Sequence, residues 1–276
     1  MKRQELLDHL YDISEMEKEL KLNPKQTDFY DYLDDIGSKE INGVYNIQSS
    51  KFLRPIKPQS DYFWDRLHYS PHQNMLTIKK ATRFSIEPMS RANFIAIRYV
   101  YNGNIKIRIH KESFPLKTND VLLLSDNISL SQQLHHEDDI VFTLMFEKEF
   151  LINNILNYLT QQSIITKFIL DFITDNKYKQ NYIVFHGKDN DRIKYVIEDI
   201  LCEYMDPSPN GEALIKSYIT ILLLEMLKCS YEFSNLATEK NSYLLTNILG
   251  YISENYRNCT LEDLSKEYNY SIKIYK

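Results

Sequence analysis

The sequence predicts an α+β protein in which an antiparallel β-barrel is flanked by helical segments, and three observations carry that prediction. Between residues 76 and 146, short runs of β-branched and aromatic residues recur at close spacing with turn residues between them. On either side of this stretch the apolar residues recur at gaps of three and four. At the carboxyl end, a helical stripe, a cap, a turn and a second cap follow one another.

In chain order, Leu6, Leu7, Leu10, Ile13 and Leu20 predict a first helix. Asn23 as N-cap, Pro24 at the first helical position and Gly37 as the stop predict a second. With the Pro55 and Pro58 connector these make an N-terminal extension over 1–60. The barrel is expected over 61–150. Its strands are Thr77-Ile78-Lys79, Arg83-Phe84-Ser85-Ile86, a longer run over 94–101, the alternating Ile105, Ile107 and Ile109, then 121–124 and 140–146. Asn102-Gly103 predicts a tight hairpin between the third and fourth of these.

A helical region with its linker is expected over 151–240. It comprises a helix within 151–173, a strand over 182–185, a helix over 191–205, and a strongly apolar helix over 211–233. That last helix is apolar over much of its circumference, which predicts a buried dimer contact through Ile219, Leu223, Met226 and Leu227. The remaining unit is 241–276.

Composition narrows the function. A hydrophobic fraction of 43% with 26% charged residues fits a folded protein, and a net charge of −5 leaves no global surface for a polyanion, so any nucleic-acid contact is local. Cys202, Cys229 and Cys259 lie far apart with no CxxC pair, which points to a reducing compartment. The amphipathic amino terminus lacks a secretory pattern, and the longest apolar run is too short to cross a bilayer. The expectation is a cytoplasmic protein without a membrane association.

Candidate site residues are few. Arg98 and Arg108 alternate with apolar neighbours, so they either face into the barrel as anion receptors or lie on a sheet face open to water. Tyr99 and Tyr101 either line an effector pocket or belong to the core. His135-His136 with Glu137, Asp138 and Asp139 reads as a solvated turn rather than a metal cluster, because adjacent side chains point apart. No nucleotide-binding loop, nucleophile elbow or paired CxxC occurs.

At the carboxyl end, Ile248, Ile252 and Tyr256 form one stripe, and Thr260-Leu261-Glu262-Asp263 has the form of a capping box with Asp at the third helical position. Leu261, Leu264 and Tyr268 supply a second stripe, and Ser271 caps a third helix. This is the layout of a helix-turn-helix. The string YISENYRNCTLEDLSKEYNYS resembles the start of the AraC/XylS DNA-binding domain, with Ile252, Tyr256, Leu261, Leu264 and Ser271 in its characteristic slots. FIAIRYVYNGNIKIRIHKESFPLKTNDVLLLSDN is similar to the cupin-like sensor barrel of the same family.

The resemblance implies a transcriptional regulator with a cupin-like effector-sensing barrel, a helical dimerisation region and a DNA-binding domain. Such domains carry two helix-turn-helix units, and Lys276 falls within the first recognition helix, so the DNA-binding domain is expected to be incomplete here. Ser271, Lys273 and Lys276 are the expected DNA contacts. Partners implied are promoter DNA for a full-length form, a second copy of the chain, and a small-molecule or peptide effector. Enzymatic cupins hold a metal through an HxH pair, a Glu and a later His. Arg91-Ala92-Asn93 and Ser129-Leu130-Ser131 stand at those places, so neither a cofactor nor an enzymatic activity is expected. The alternative is a stand-alone dimerising protein that antagonises a full-length relative.

Overall fold

The computed structural model describes residues 1–23, 39–47, 62–70, 76–92, 94–126, 128–133, 135–155, 158–159, 163–173, 181–188, 190–235 and positions 260, 263 and 265. The helix expected after Pro24 and most of the carboxyl-terminal unit, with Ser271, Lys273 and Lys276, lie outside the described residues.

The amino terminus forms two short helices, α1 (Arg3–Asp8) and α2 (Glu15–Leu22), where a single one is expected. Ser14 interrupts the run. Its hydroxyl accepts from the Glu17 backbone N–H while the Glu17 carboxylate accepts from Ser14 N–H, so the cap starts a new helix.

The β region consists of strands β1 (Lys39–Ile41), β2 (Val44–Ile47), β3 (Leu76–Lys80), β4 (Glu87–Ala92), β5 (Ile95–Asn102), β6 (Asn104–Ile109), β7 (Glu112–Lys117), β8 (Val121–Leu124), β9 (Leu130–Gln132) and β10 (Ile140–Phe146). A 3₁₀ helix, Phe63–Tyr69, precedes β3. Helices α3 (Lys148–Asn154) and α4 (Ile164–Ile173) follow, then β11 (Asn181–His186), α5 (Asp191–Met205), α6 (Gly211–Met226) and β12 (Ser230–Asn235).

Among the described residues two six-stranded sheets result, ordered β1-β2-β4-β9-β6-β7 and β12-β11-β8-β5-β10-β3. All neighbours are antiparallel except β2 and β4. The fold is α+β as expected, but the sheets face each other as an open sandwich and do not close into one hydrogen-bonded barrel.

Three local expectations are corrected. Asn102-Gly103 is not a hairpin: β5 and β6 belong to different sheets, so this dipeptide is a corner between them. Gly103 sits at φ +106 with Asp139 packed against its Cα, a place no side chain can occupy. The hairpin is one strand later, where β6 and β7 pair around His110 at φ +50. Residues 83–86 turn instead of extending, with Phe84 at φ +61, because Arg83 is drawn towards α2. The long apolar helix ends at Met226, and β12 then pairs with β11 in full register.

The β5-centred sheet is buried on both faces, which explains its nearly continuous apolar strands. Ile95, Ile97, Tyr99, Tyr101, Phe142 and Leu144 face the helices, packed with Leu6, Trp64, Ile197, Leu201 and Leu222. Ala96, Val100, Leu122, Val141 and Met145 face the other sheet, packed with Ile105, Ile107 and Leu116.

Candidate functional site

The period of two along β5 sorts the sensor candidates. Arg98, between Ala96 and Val100, lies inside the sandwich at 8% exposure. Tyr99 and Tyr101 lie on the opposite face among the helices. Arg108, on the outward side of β6, is exposed and donates to the His110 carbonyl. Of these four candidates Arg98 alone reaches the interior, because adjacent strand residues point apart and β6 turns its isoleucines inward.

Arg98 spans the two sheets. Its Nη2 donates to Glu87 Oε2 on β4 at 2.8 Å, and its Nη1 donates to Gln132 Oε1 on β9. Gln132 Nε2 in turn meets the ring of His135, which is 1% exposed. Lys79 joins them: Ile78 belongs to the helix-facing core, so Lys79 faces inward, aligned with Thr143 on β10, which is itself aligned with Arg98. Thr77, two residues along the same face, is 4% exposed. Two atoms in this cluster, Arg98 Nε and Thr77 Oγ1, are buried with no hydrogen-bond partner. Neither Lys79, Glu87, Gln132 nor His135 stands out in the sequence as a member of one site, since they come from three separate segments. The one available signal was a charged residue at an inward position of an apolar strand.

Electrostatics tie the cluster together. Burial, the largest single influence, would raise the Glu87 carboxyl, but the charge of Arg98 together with those of His135 and Lys79 and the Arg98 hydrogen bond holds it below the usual carboxylate range. Burial pushes Lys79 down to about 7, opposed by Glu87, and pushes His135 down to about 4. His135 is thus neutral at physiological pH. His136 and Asp138 remain exposed in the following turn, and Asp139 caps it by accepting from His136 N–H at 2.7 Å. Among the described residues no group of three or more His, Cys, Asp or Glu is placed to hold a metal ion.

On the other face of β5, the Tyr101 hydroxyl donates to Glu198 Oε1 on α5 at 2.6 Å, and Arg3 Nε lies 3.1 Å from Glu198 Oε2. The strand that carries Arg98 inward therefore also holds α5 and α1 outward.

The residues expected at a dimer contact are covered by the chain itself. Ile219 and Met226 are fully buried, Leu223 is 2% exposed, and Leu227 packs against the same core. The stripe is wide because α6 packs along α5 within the same helix-facing core. Leu224, at 40% exposure, is the large apolar residue of α6 left facing solvent.

At the carboxyl end the Thr260 hydroxyl accepts from Asp263 N–H and the Asp263 carboxylate accepts from Thr260 N–H, which is the reciprocal cap read from the sequence. Among the described residues no helix is long and apolar enough to cross a membrane.

No protein-family model matches the chain, and no curated protein matches it. Among solved structures it is similar to a single-substitution variant of ToxT from Vibrio cholerae in its apo form, with TM-score 0.40, 16% identity and 71% of each chain covered. It is also similar to wild-type ToxT with bound unsaturated fatty acid from Vibrio cholerae, with TM-score 0.39, 16% identity, and 71% of this chain and 68% of that one covered. A third is the AraC-like transcriptional activator CuxR, with TM-score 0.34, 12% identity, and 64% of this chain and 57% of that one covered. An AraC-like regulator thus stands among the structures to which this chain is similar.

Proposed function

We propose that this chain is an AraC-type transcriptional regulator whose β-sandwich senses an effector and whose carboxyl-terminal unit binds promoter DNA. The observation that carries the sensor half is the polar cluster around Arg98, a buried site with two unsatisfied polar atoms inside an otherwise apolar sandwich. The capped helix at Thr260 and the helix-turn-helix pattern around it support the DNA-binding half. Because β5 bears Arg98 on one face and Tyr101 on the other, a shift of this strand on effector binding reaches α5 through Glu198. The effector thereby biases how the DNA-binding units of two associated copies are presented.

Phosphate contacts by Lys and Arg supply most non-specific affinity for DNA. From 241 to 276 the chain has Arg257, Lys266, Lys273 and Lys276 against Glu254, Glu262, Asp263 and Glu267, a neutral balance. Titration of labelled duplex DNA tests the reading. At physiological salt this chain binds weakly and without sequence preference, whereas the chain continued through two helix-turn-helix units binds a selected sequence at about 10⁻⁸ M or tighter. An extended form with no sequence preference would overturn the proposal.

A further inference from the structure

The sheet that contains β4, β9, β6 and β7 has one face inside the sandwich, and the period of two along its strands sets what the other face shows. Ile105, Ile107 and Ile109 on β6 and Leu116 on β7 point inward. Lys106 and Arg108 therefore point outward, level with Pro115 and Ser113, and Lys117 points outward level with Asn104. Ser131 on β9 is aligned with Arg108. On β4, Ala92 packs inside, so Arg91 lies outward, where its Nε donates to Asn46 Oδ1 on β2. Lys111 is exposed at the tip of the β6-β7 hairpin. In a chain of net charge −5, the described outward positions of β4, β9, β6 and β7 thus carry four cations and no carboxylate, with a fifth cation at the tip. Glu112 falls on the inward register beside Ile109, where its carboxylate accepts from the Tyr182 hydroxyl. Arg108 donates through Nε to the His110 carbonyl, and among the described residues no hydrogen bond or ion pair engages the ammonium groups of Lys106, Lys111 and Lys117.

The pattern of this face selects its partner. Lys117, Lys106, Arg108 and Lys111 follow one another along the hairpin at intervals of about two residues, roughly 7 Å each, so they form a row about 20 Å long. A row of cations suits the repeated charge of a phosphate backbone, from which it releases counterions. Asn104, Ser113, Ser131 and the exposed Gln133 lie among them, and neutral donors of these kinds share phosphate and sugar contacts with Lys and Arg. Phe114 is turned inward and stacked on Tyr182, so the outward positions of this hairpin offer no aromatic platform for the bases of a single strand. Pro115 is the one apolar residue among the described outward positions of β9, β6 and β7, which leaves nothing to anchor the side chains of an acidic peptide. We propose that this face is a sequence-independent contact for the phosphate backbone of duplex DNA, made by Lys106, Arg108, Lys111 and Lys117 with Arg91 at its border. The inference goes beyond the reading above, because it requires neither an effector nor the carboxyl-terminal unit.

The test is fluorescence anisotropy of a labelled duplex of mixed sequence titrated with the full chain between about 50 and 200 mM salt. Four phosphate contacts give a slope of log affinity against log salt near −3.6, about −0.9 for each. Lys106→Gln with Lys117→Gln changes two exposed side chains and keeps the fold, and it should flatten the slope by about 2 and weaken binding at least tenfold at the lowest salt. Lys2→Gln with Lys216→Gln removes the same charge from the helical side and should leave the slope unchanged. Equal losses in the two double variants would assign the binding to net charge and overturn the proposal, as would an unchanged slope in Lys106→Gln with Lys117→Gln. Absence of duplex binding by the folded wild-type chain at the lowest salt overturns it too. Tighter binding of the single strand, or of poly-glutamate at equal charge, overturns the duplex assignment. Sequence-selective binding by the extended form is measured separately, so the regulator reading stands or falls independently of these results.

Discussion

Replacing Arg83 with Met tests what fastens the amino-terminal helices to the sandwich. The Arg83 guanidinium is 1% exposed and donates to both Glu17 carboxylate oxygens, at 3.2 and 3.1 Å. It also donates to the carbonyls of Tyr11, Asp12 and Glu137. Removing one partner of a buried pair leaves an uncompensated charge, which costs about 3–5 kcal/mol. Adding Glu17→Gln removes that charge, so the double variant should recover part of the loss, with a coupling energy of roughly 0.5–3 kcal/mol. The pH dependence gives a sharper check. Burial alone would raise the Glu17 carboxyl, but the Arg83 hydrogen bonds and the charges of Lys80 and Arg83 hold it below its ordinary value. In the wild type its stabilisation is therefore present above the unfolded pKa, about 4.3, and is lost as pH falls through the lower folded value. In Arg83→Met the burial remains without the cation, so the folded pKa rises and the variant's penalty should shrink as pH falls from 7 towards 4. Urea unfolding across this range measures it. A penalty below about 1 kcal/mol at pH 7, or one that stays constant with pH, would refute the reasoning.

Three further outcomes follow from the same geometry. Tyr101→Phe withdraws the hydroxyl that donates to buried Glu198, and should lower stability by about 1–3 kcal/mol in urea unfolding. Gly103→Ala, at φ +106 with the Asp139 Cα 2.9 Å from the new Cβ, should cost at least about 2 kcal/mol. A melting temperature equal to that of the wild type would show that the corner relaxes freely. Leu223→Glu should unfold the chain, because it buries a charge in its own core, whereas Leu224→Glu should keep the fold and shift a dimer to monomer in light scattering. A wild-type chain that is monomeric at high concentration would remove the dimer from the proposed mechanism.

How much of this was legible depends on the range of the forces involved. Periodicity and capping are local, and they predicted β6, β8, β10 and α5 almost to the residue, as well as the reciprocal cap between Thr260 and Asp263. The Ser14 to Glu17 cap carried the same kind of signal and accounts for the break between α1 and α2. Local signals do not specify partners. Asn102-Gly103 is compatible with a tight turn in any setting, and only the pairing of β5 with β8 and β10, away from β6, makes it a corner. The apolar circumference of α6 signalled burial, but whether a second copy or the chain's own sheet supplies the cover depends on long-range packing.

The candidate site divides in the same way. By itself the sequence determined that Arg98 and Tyr99 take opposite faces, because a strand alternates with period two. It could not determine which face lies inside, since both faces of a doubly covered sheet are apolar. Tertiary structure alone decided that Arg98 meets Glu87, Gln132 and His135, residues 11 to 37 positions away along the chain, and that Lys79 joins them across β10. The physical reason is that a buried charge selects its partners by position in space after the sheets have paired, and no spacing along the sequence records that choice.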